Sequence, residues 1–140
     1  MTIKHKILLR YIKDLSVETP DAETLIYVRE NLSKYQIKID INSKALKNKM
    51  VEVNTKLTFE DKENSEKKSF FEIIYASIVR IEVEIKDKKE IEKILLCDVQ
   101  TEIYPKLEKI FLDLLKNCGY PETKIEKKID FEKLYYDRLN

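Results

Sequence analysis

DVQTEIYPKLEKIFLDLLKNCGY, residues 98–120, decides how the rest of the chain is read. Its apolar residues Val99, Ile103, Leu107, Ile110, Phe111, Leu114, Leu115 and Cys118 recur three and four apart, one stripe of an amphipathic helix. Lys106, Glu108, Lys109, Asp113 and Lys116 fill the other side. The run stops at Gly119, the only glycine, with Pro121 just beyond, which predicts a left-handed cap with φ > 0. Pro105 lacks the N–H that a helix interior needs, so the spacing predicts either a kink there or a helix starting near Ile103.

Upstream of that helix the period changes from helical to alternating. Residues 3–17 read as a first strand, with Ile7, Leu9, Tyr11, Leu15 and Val17 on a buried face and Arg10, Asp14, Ser16 and Glu18 on a wet one. Asp21 is placed to cap one short turn ending near Ile26. Residues 35–41 alternate again. In residues 51–60, Val51, Val53, Thr55, Leu57 and Phe59 alternate without a break. A fourth strand runs from Phe71 to Ile85, with Phe71, Ile73, Tyr75, Val79, Ile81, Val83 and Ile85 on one face. Phe70, Ile74, Ala76 and Ile78 make its other face apolar too, which calls for a layer on each side: the long helix on one, a second copy on the other. After a charged stretch, residues 86–90, helical spacing returns at Ile91, Ile94 and Leu95, with a break before the principal helix. Asp130 caps a last helix in which Phe131, Leu134, Tyr135 and Leu139 lie near one face. The order is α+β: a four-stranded antiparallel sheet followed by a long helix and a C-terminal helix packed on one face.

With 140 residues the chain makes one domain, residues 1–140. Its 27 basic and 26 acidic residues leave a net charge of +1, so charge gives no reason to expect nucleic acid or an anionic membrane as partner. No window approaches the ~20 apolar residues of a membrane span, and membrane insertion is not expected. Cys97 and Cys118 have no metal-ligand spacing and read as buried free thiols, which fits the cytoplasm. Neither a cofactor nor an enzymatic activity is expected. His5, the one histidine, reads as a surface residue without a carboxylate or serine partner. Glu82 and Glu84 read as a solvated strand face, and one glycine cannot build a phosphate loop.

The run Tyr11-Ile12-Lys13-Asp14-Leu15-Ser16-Val17-Glu18-Thr19-Pro20-Asp21-Ala22 resembles the first-strand signature of the SecB protein-export chaperones. The resemblance continues through residues 36–41, residues 52–58, Phe71-Glu72-Ile73 and Tyr75-Ala76. It returns at Tyr104-Pro105, at Cys118-Gly119-Tyr120-Pro121, and at Ile129-Asp130-Phe131 with Leu134 and Tyr135, so it spans nearly the whole chain in order. It implies a homotetramer, a dimer of dimers joined through the main helices, that holds unfolded or precursor polypeptides in apolar grooves and delivers exported ones to the SecA motor. On the same basis Ile37, Ile39, Ile41, Phe131 and Tyr135 match the client groove. Asp14, Glu18, Phe70 and Glu72 match the face that docks on SecA. Two alternatives stay open: a SecB-like chaperone dedicated to a toxin–antitoxin system, and a structural oligomeric subunit with no affinity for unfolded chains.

Overall fold

A computed structural model describes residues 4–82, 84, 87–121, 123 and 129–139. Four strands, β1 (His5–Glu18), β2 (Tyr35–Ala45), β3 (Met50–Asp61) and β4 (Phe70–Ile81), form one antiparallel sheet in the order β1-β4-β3-β2. The first two strands therefore lie at opposite edges, and helix α1 (Ala22–Glu30) carries the chain from one to the other. Asp21 caps α1 by accepting from the Thr24 N–H at 2.7 Å, but the helix runs on well past the single turn expected. Both strands around the β2–β3 turn are also longer than the alternation suggested. The turn itself has Asn48 and Lys49 at φ of +61° and +62°, a backbone whose twist matches that of the flanking strands.

The helical layer is more continuous than its sequence pattern implied. Asp87 caps α2 (Lys88–Lys93) by accepting from the Lys89 N–H at 3.0 Å; a π-helical stretch (Ile94–Asp98) follows, and α3 (Val99–Asn117) continues from it. The helix therefore does not begin near Ile103. Pro105 removes a single donor, and just upstream the Thr101 hydroxyl donates to the Cys97 carbonyl at 2.8 Å. Val99, Ile103, Leu107, Phe111 and Leu115, four apart, are all fully buried against the inner faces of β3 and β4. Phe59 links the layers, 5.0 Å from Phe111 and 5.9 Å from Phe71 between ring centres. Helix α3 ends as expected: Gly119 has φ +101°, and the Tyr120 N–H reaches back to the Leu115 carbonyl at 2.8 Å.

Two expectations need correction. In β1 the pairing with β4 slips at Leu8 and again at Lys13, each an extra residue that turns the following side chains to the other face. Leu9 and Tyr11 consequently point to the open side, opposite Ile78 and Ala76, while Ile12, Leu15 and Val17 share the helix side with Tyr75, Ile73 and Phe71. Because α3 covers the inner strands and not this edge, all five are exposed, Leu9 by 61%. In α4 (Phe131–Leu139), Phe131 and Tyr135 are buried, but Leu134, one turn-fraction round the helix, is half exposed. Val83 and Ile85 lie outside the described residues, as does the side chain of Leu139.

Candidate functional site

An edge strand that exposes a row of isoleucines on a helix-covered side leaves clefts where its helical cover stops short. Ile37, Ile39 and Ile41 stand opposite Phe59, Leu57 and Thr55 on the helix side of β2, each only partly covered. Between β2 and the π-helical stretch lies a cleft of about 300 Å³. Ile41, Asn42 and Ser43 form one wall and Glu92, Leu95 and Leu96 the other. On the far side of that stretch a second cleft of about 580 Å³ runs between α3 and the start of α4. Cys97, Thr101, Tyr104, Pro105 and Glu108 face Ile129, Asp130, Phe131 and Glu132 across it. Its floor is aromatic, with Tyr104 and Phe131 edge to face at 5.2 Å, and its rim carries the carboxylates of Glu108, Asp130 and Glu132.

The five residues matched to a client groove are thus divided. Ile41 lines the first cleft, with Ile37 and Ile39 beside it along β2, whereas Phe131 lines the second. Tyr135 is buried and ties α4 to α2, its hydroxyl donating to the Lys89 carbonyl at 3.1 Å. The π-helical stretch stands between the two groups. Sequence reading missed Leu95, Leu96 and Cys97 as cleft walls because it placed a break there. The unbroken four-residue repeat Ile91, Leu95, Val99, Ile103 was the signal for one continuous helical run.

Asp14, Glu18, Phe70 and Glu72 all lie on the open face of the sheet, across β1 and β4. Asp14 stands opposite Ile74, Glu18 opposite Phe70, and Ser16 opposite Glu72. Phe70 is 44% exposed. The carboxylates are not equivalent. Glu72 is paired with Lys56 at 3.1 Å, while Asp14 accepts from the Ser16 hydroxyl at 3.2 Å. Next to them Glu52 holds Lys13 at 2.6 Å and Tyr11 at 3.2 Å, and Lys13 first, then Asn54, keep its carboxyl below the usual range.

His5, read as a partnerless surface residue, is in fact largely covered and sits 2.9 Å from Glu102, a partner 97 positions away that no local pattern announces. Burial raises the pKa of both free thiols, Cys97 and Cys118, away from the reactive thiolate. Among the described residues no cluster of three or more His, Cys, Asp or Glu side chains is placed to hold a metal ion. Likewise, no helix among them is long and apolar enough to cross a membrane.

Comparison with known proteins adds a second line of observation. The sequence matches the model of the SecB family, preprotein translocase subunit SecB, over residues 2–140. It is 56% identical over 140 residues, all of both chains, to the "Putative protein-export protein SecB" of Pelagibacter ubique (strain HTCC1062). With protein-export protein SecB of Parvibaculum lavamentivorans it shares 26% identity over 133 residues, 95% of this chain and 77% of that one. A solved SecB-like chaperone of Mycobacterium tuberculosis, in complex with a ChAD peptide from the HigA1 antitoxin, has the same fold. The TM-score is 0.66 at 10% identity, covering 89% of this chain and 91% of that one.

Proposed function

The chain belongs to the SecB family, and from that premise we propose that it is an ATP-independent holding chaperone for precursor polypeptides bound for export. Proteins of this family are chaperones and not enzymes. The observation that carries the reading here is the pair of open clefts of mixed apolar and polar lining that flank the π-helical stretch. Each has room for side chains of an extended chain and none for a folded domain. Burial of apolar client surface there, at roughly 25 cal/mol per Å² before entropy costs, would retain unfolded segments without demanding one sequence. Ile37, Ile39, Ile41, Phe131 and Tyr135 are the client-groove residues of this proposal.

The working form is a homotetramer in the cytoplasm. Support comes from β1, where Leu9, Tyr11, Ile12, Leu15 and Val17 are exposed in the single chain, and from the half-covered row Ile110 and Leu114 along α3. Several weak client sites on one oligomer then reinforce each other through effective concentration. SecA is the proposed recipient, docking on the open face at Asp14, Glu18, Phe70 and Glu72. One observation favours the dedicated-client alternative: Lys56 neutralises Glu72, and the chain as a whole carries only +1, so the electrostatic pull on a basic docking segment is modest.

The test is Ile39→Asp, assayed for suppression of aggregation of a denatured client together with light scattering. The proposal expects weaker suppression from an intact tetramer. A variant that unfolds outright would make Ile39 ordinary core, and a wild-type protein that stays monomeric at micromolar concentration would remove the tetramer.

A further inference from the structure

Gln100 is the one fully buried side-chain amide of α3, and neither the sequence pattern nor the proposed groove accounts for it. Its Oε1 accepts from the Thr55 hydroxyl at 2.9 Å, and its Nε2 donates to the Leu95 carbonyl at 3.3 Å. Thr55 is itself fully buried in β3, directly opposite Ile41 of β2. Leu95 belongs to the π-helical stretch, where the backbone ladder changes period and a carbonyl gains most from an extra donor. Ile41 and Leu95 are opposite walls of the 300 Å³ cleft. A single amide therefore connects the strand behind one wall to the backbone of the other.

We propose that Gln100 is a positioning residue for client binding. Through Thr55 and the Leu95 carbonyl it fixes the distance at which Leu95 and Leu96 stand from Ile41, and so sets the size of client side chain that the cleft accepts. This inference rests on the chaperone reading above. The chemistry of the ligand follows from the mixed walls: Ile41, Leu95 and Leu96 suit one large apolar side chain of an extended polypeptide, and Asn42, Ser43 and Glu92 suit the polar backbone beside it. A buried amide is suited to this task because its two bonds have fixed directions, whereas apolar packing alone would let the π-helical stretch slide. The pairing also explains why a polar residue is tolerated at the centre of an otherwise apolar interface, since both its ends are satisfied there.

The experiment compares wild type, Thr55→Ser, and the double variant Thr55→Val with Gln100→Met, all as the full chain. The double variant replaces both side chains with apolar groups of similar shape, so no buried side-chain donor or acceptor is stranded, and the Leu95 carbonyl alone loses the donor that Gln100 supplied. Backbone amide exchange of residues 95–98 should be at least tenfold faster in the double variant while β3 stays protected. Its affinity for reduced, carboxymethylated α-lactalbumin should fall at least fivefold. Thr55→Ser, which keeps the hydroxyl, should behave within twofold of wild type in both measurements. Unchanged exchange, or faster exchange with undiminished affinity, would overturn the role of Gln100 while leaving the chaperone reading in place. Wild type that does not bind the unfolded probe at all would overturn the chaperone reading itself, and the client-selecting role with it.

Discussion

Replacing Tyr104 by Phe separates ring packing from a buried hydroxyl at the floor of the second cleft. The ring meets Phe131 at 5.2 Å, an arrangement that Phe preserves. The hydroxyl is buried without a hydrogen-bond partner among the described residues, so at neutral pH the variant should equal wild type or exceed it by up to about 1 kcal/mol. At high pH the two should separate. Burial, and after it the Glu108 carboxylate, push the Tyr104 phenol from its ordinary 10.0 up to about 12. The folded protein therefore holds that proton more tightly than the unfolded chain does. The resulting stabilisation is complete below pH 10 and is lost as the pH rises to about 12. Two pH units at 1.36 kcal/mol each amount to about 3 kcal/mol that wild type loses and Tyr104→Phe keeps. Urea unfolding of both proteins at a series of pH values between 8 and 12 measures the difference directly, since every other titrating group is common to both. A difference that stays flat across that range would refute the buried, unpartnered hydroxyl.

Other consequences follow from single residues. Gly119→Ala should cost about 1–3 kcal/mol in equilibrium unfolding, because φ is +101° and a new Cβ would stand 2.8 Å from Leu25 Cδ1; an unchanged midpoint would contradict the cap. Asp21 is held below its ordinary 3.8 by hydrogen bonds from Thr24, so its stabilising effect is present above that value and lost as pH falls through the lower folded one. Asp21→Ala should therefore be less stable than wild type at pH 7 and converge with it in acid, and a constant gap would contradict the capping bond. Asp14 and Glu18 leave β1 about 13 Å apart on the open face. If SecA docks there, Asp14→Lys combined with Glu18→Lys should weaken titrated binding roughly tenfold at low salt and less at physiological salt, with client holding intact. Absence of any salt-sensitive SecA binding by wild type would favour the dedicated-client reading.

The sheet was legible because period two survives in β2, β3 and β4, where β3 and β4 bury one face under α3 and β2 turns a partly covered row to the same side. In β1 it was misread, since a bulge at Leu8 turns Leu9 and Tyr11 to the open face and Ile12 to the helix side before a second at Lys13 restores Leu15, and nothing in a local alternation records an inserted residue. The stripe of α3 and its glycine stop were legible for the same reason as the strands: one face meets a core. The Leu95 and Leu96 wall was missed because a break was read before the principal helix, where a π-helical stretch in fact carries the helix on. Long-range polar partners, Gln100 with Thr55 and His5 with Glu102, left no sequence signal, because their spacing is set by the packed layers and not by either segment.

The central claim is that this fold holds chains because they are unfolded. Titrating the protein with reduced, carboxymethylated α-lactalbumin and, in parallel, with the native, disulfide-intact form tests it with one composition in two states. The account predicts saturable binding of the unfolded form without nucleotide and none of the native form. Equal affinity for both, or for neither, would contradict it.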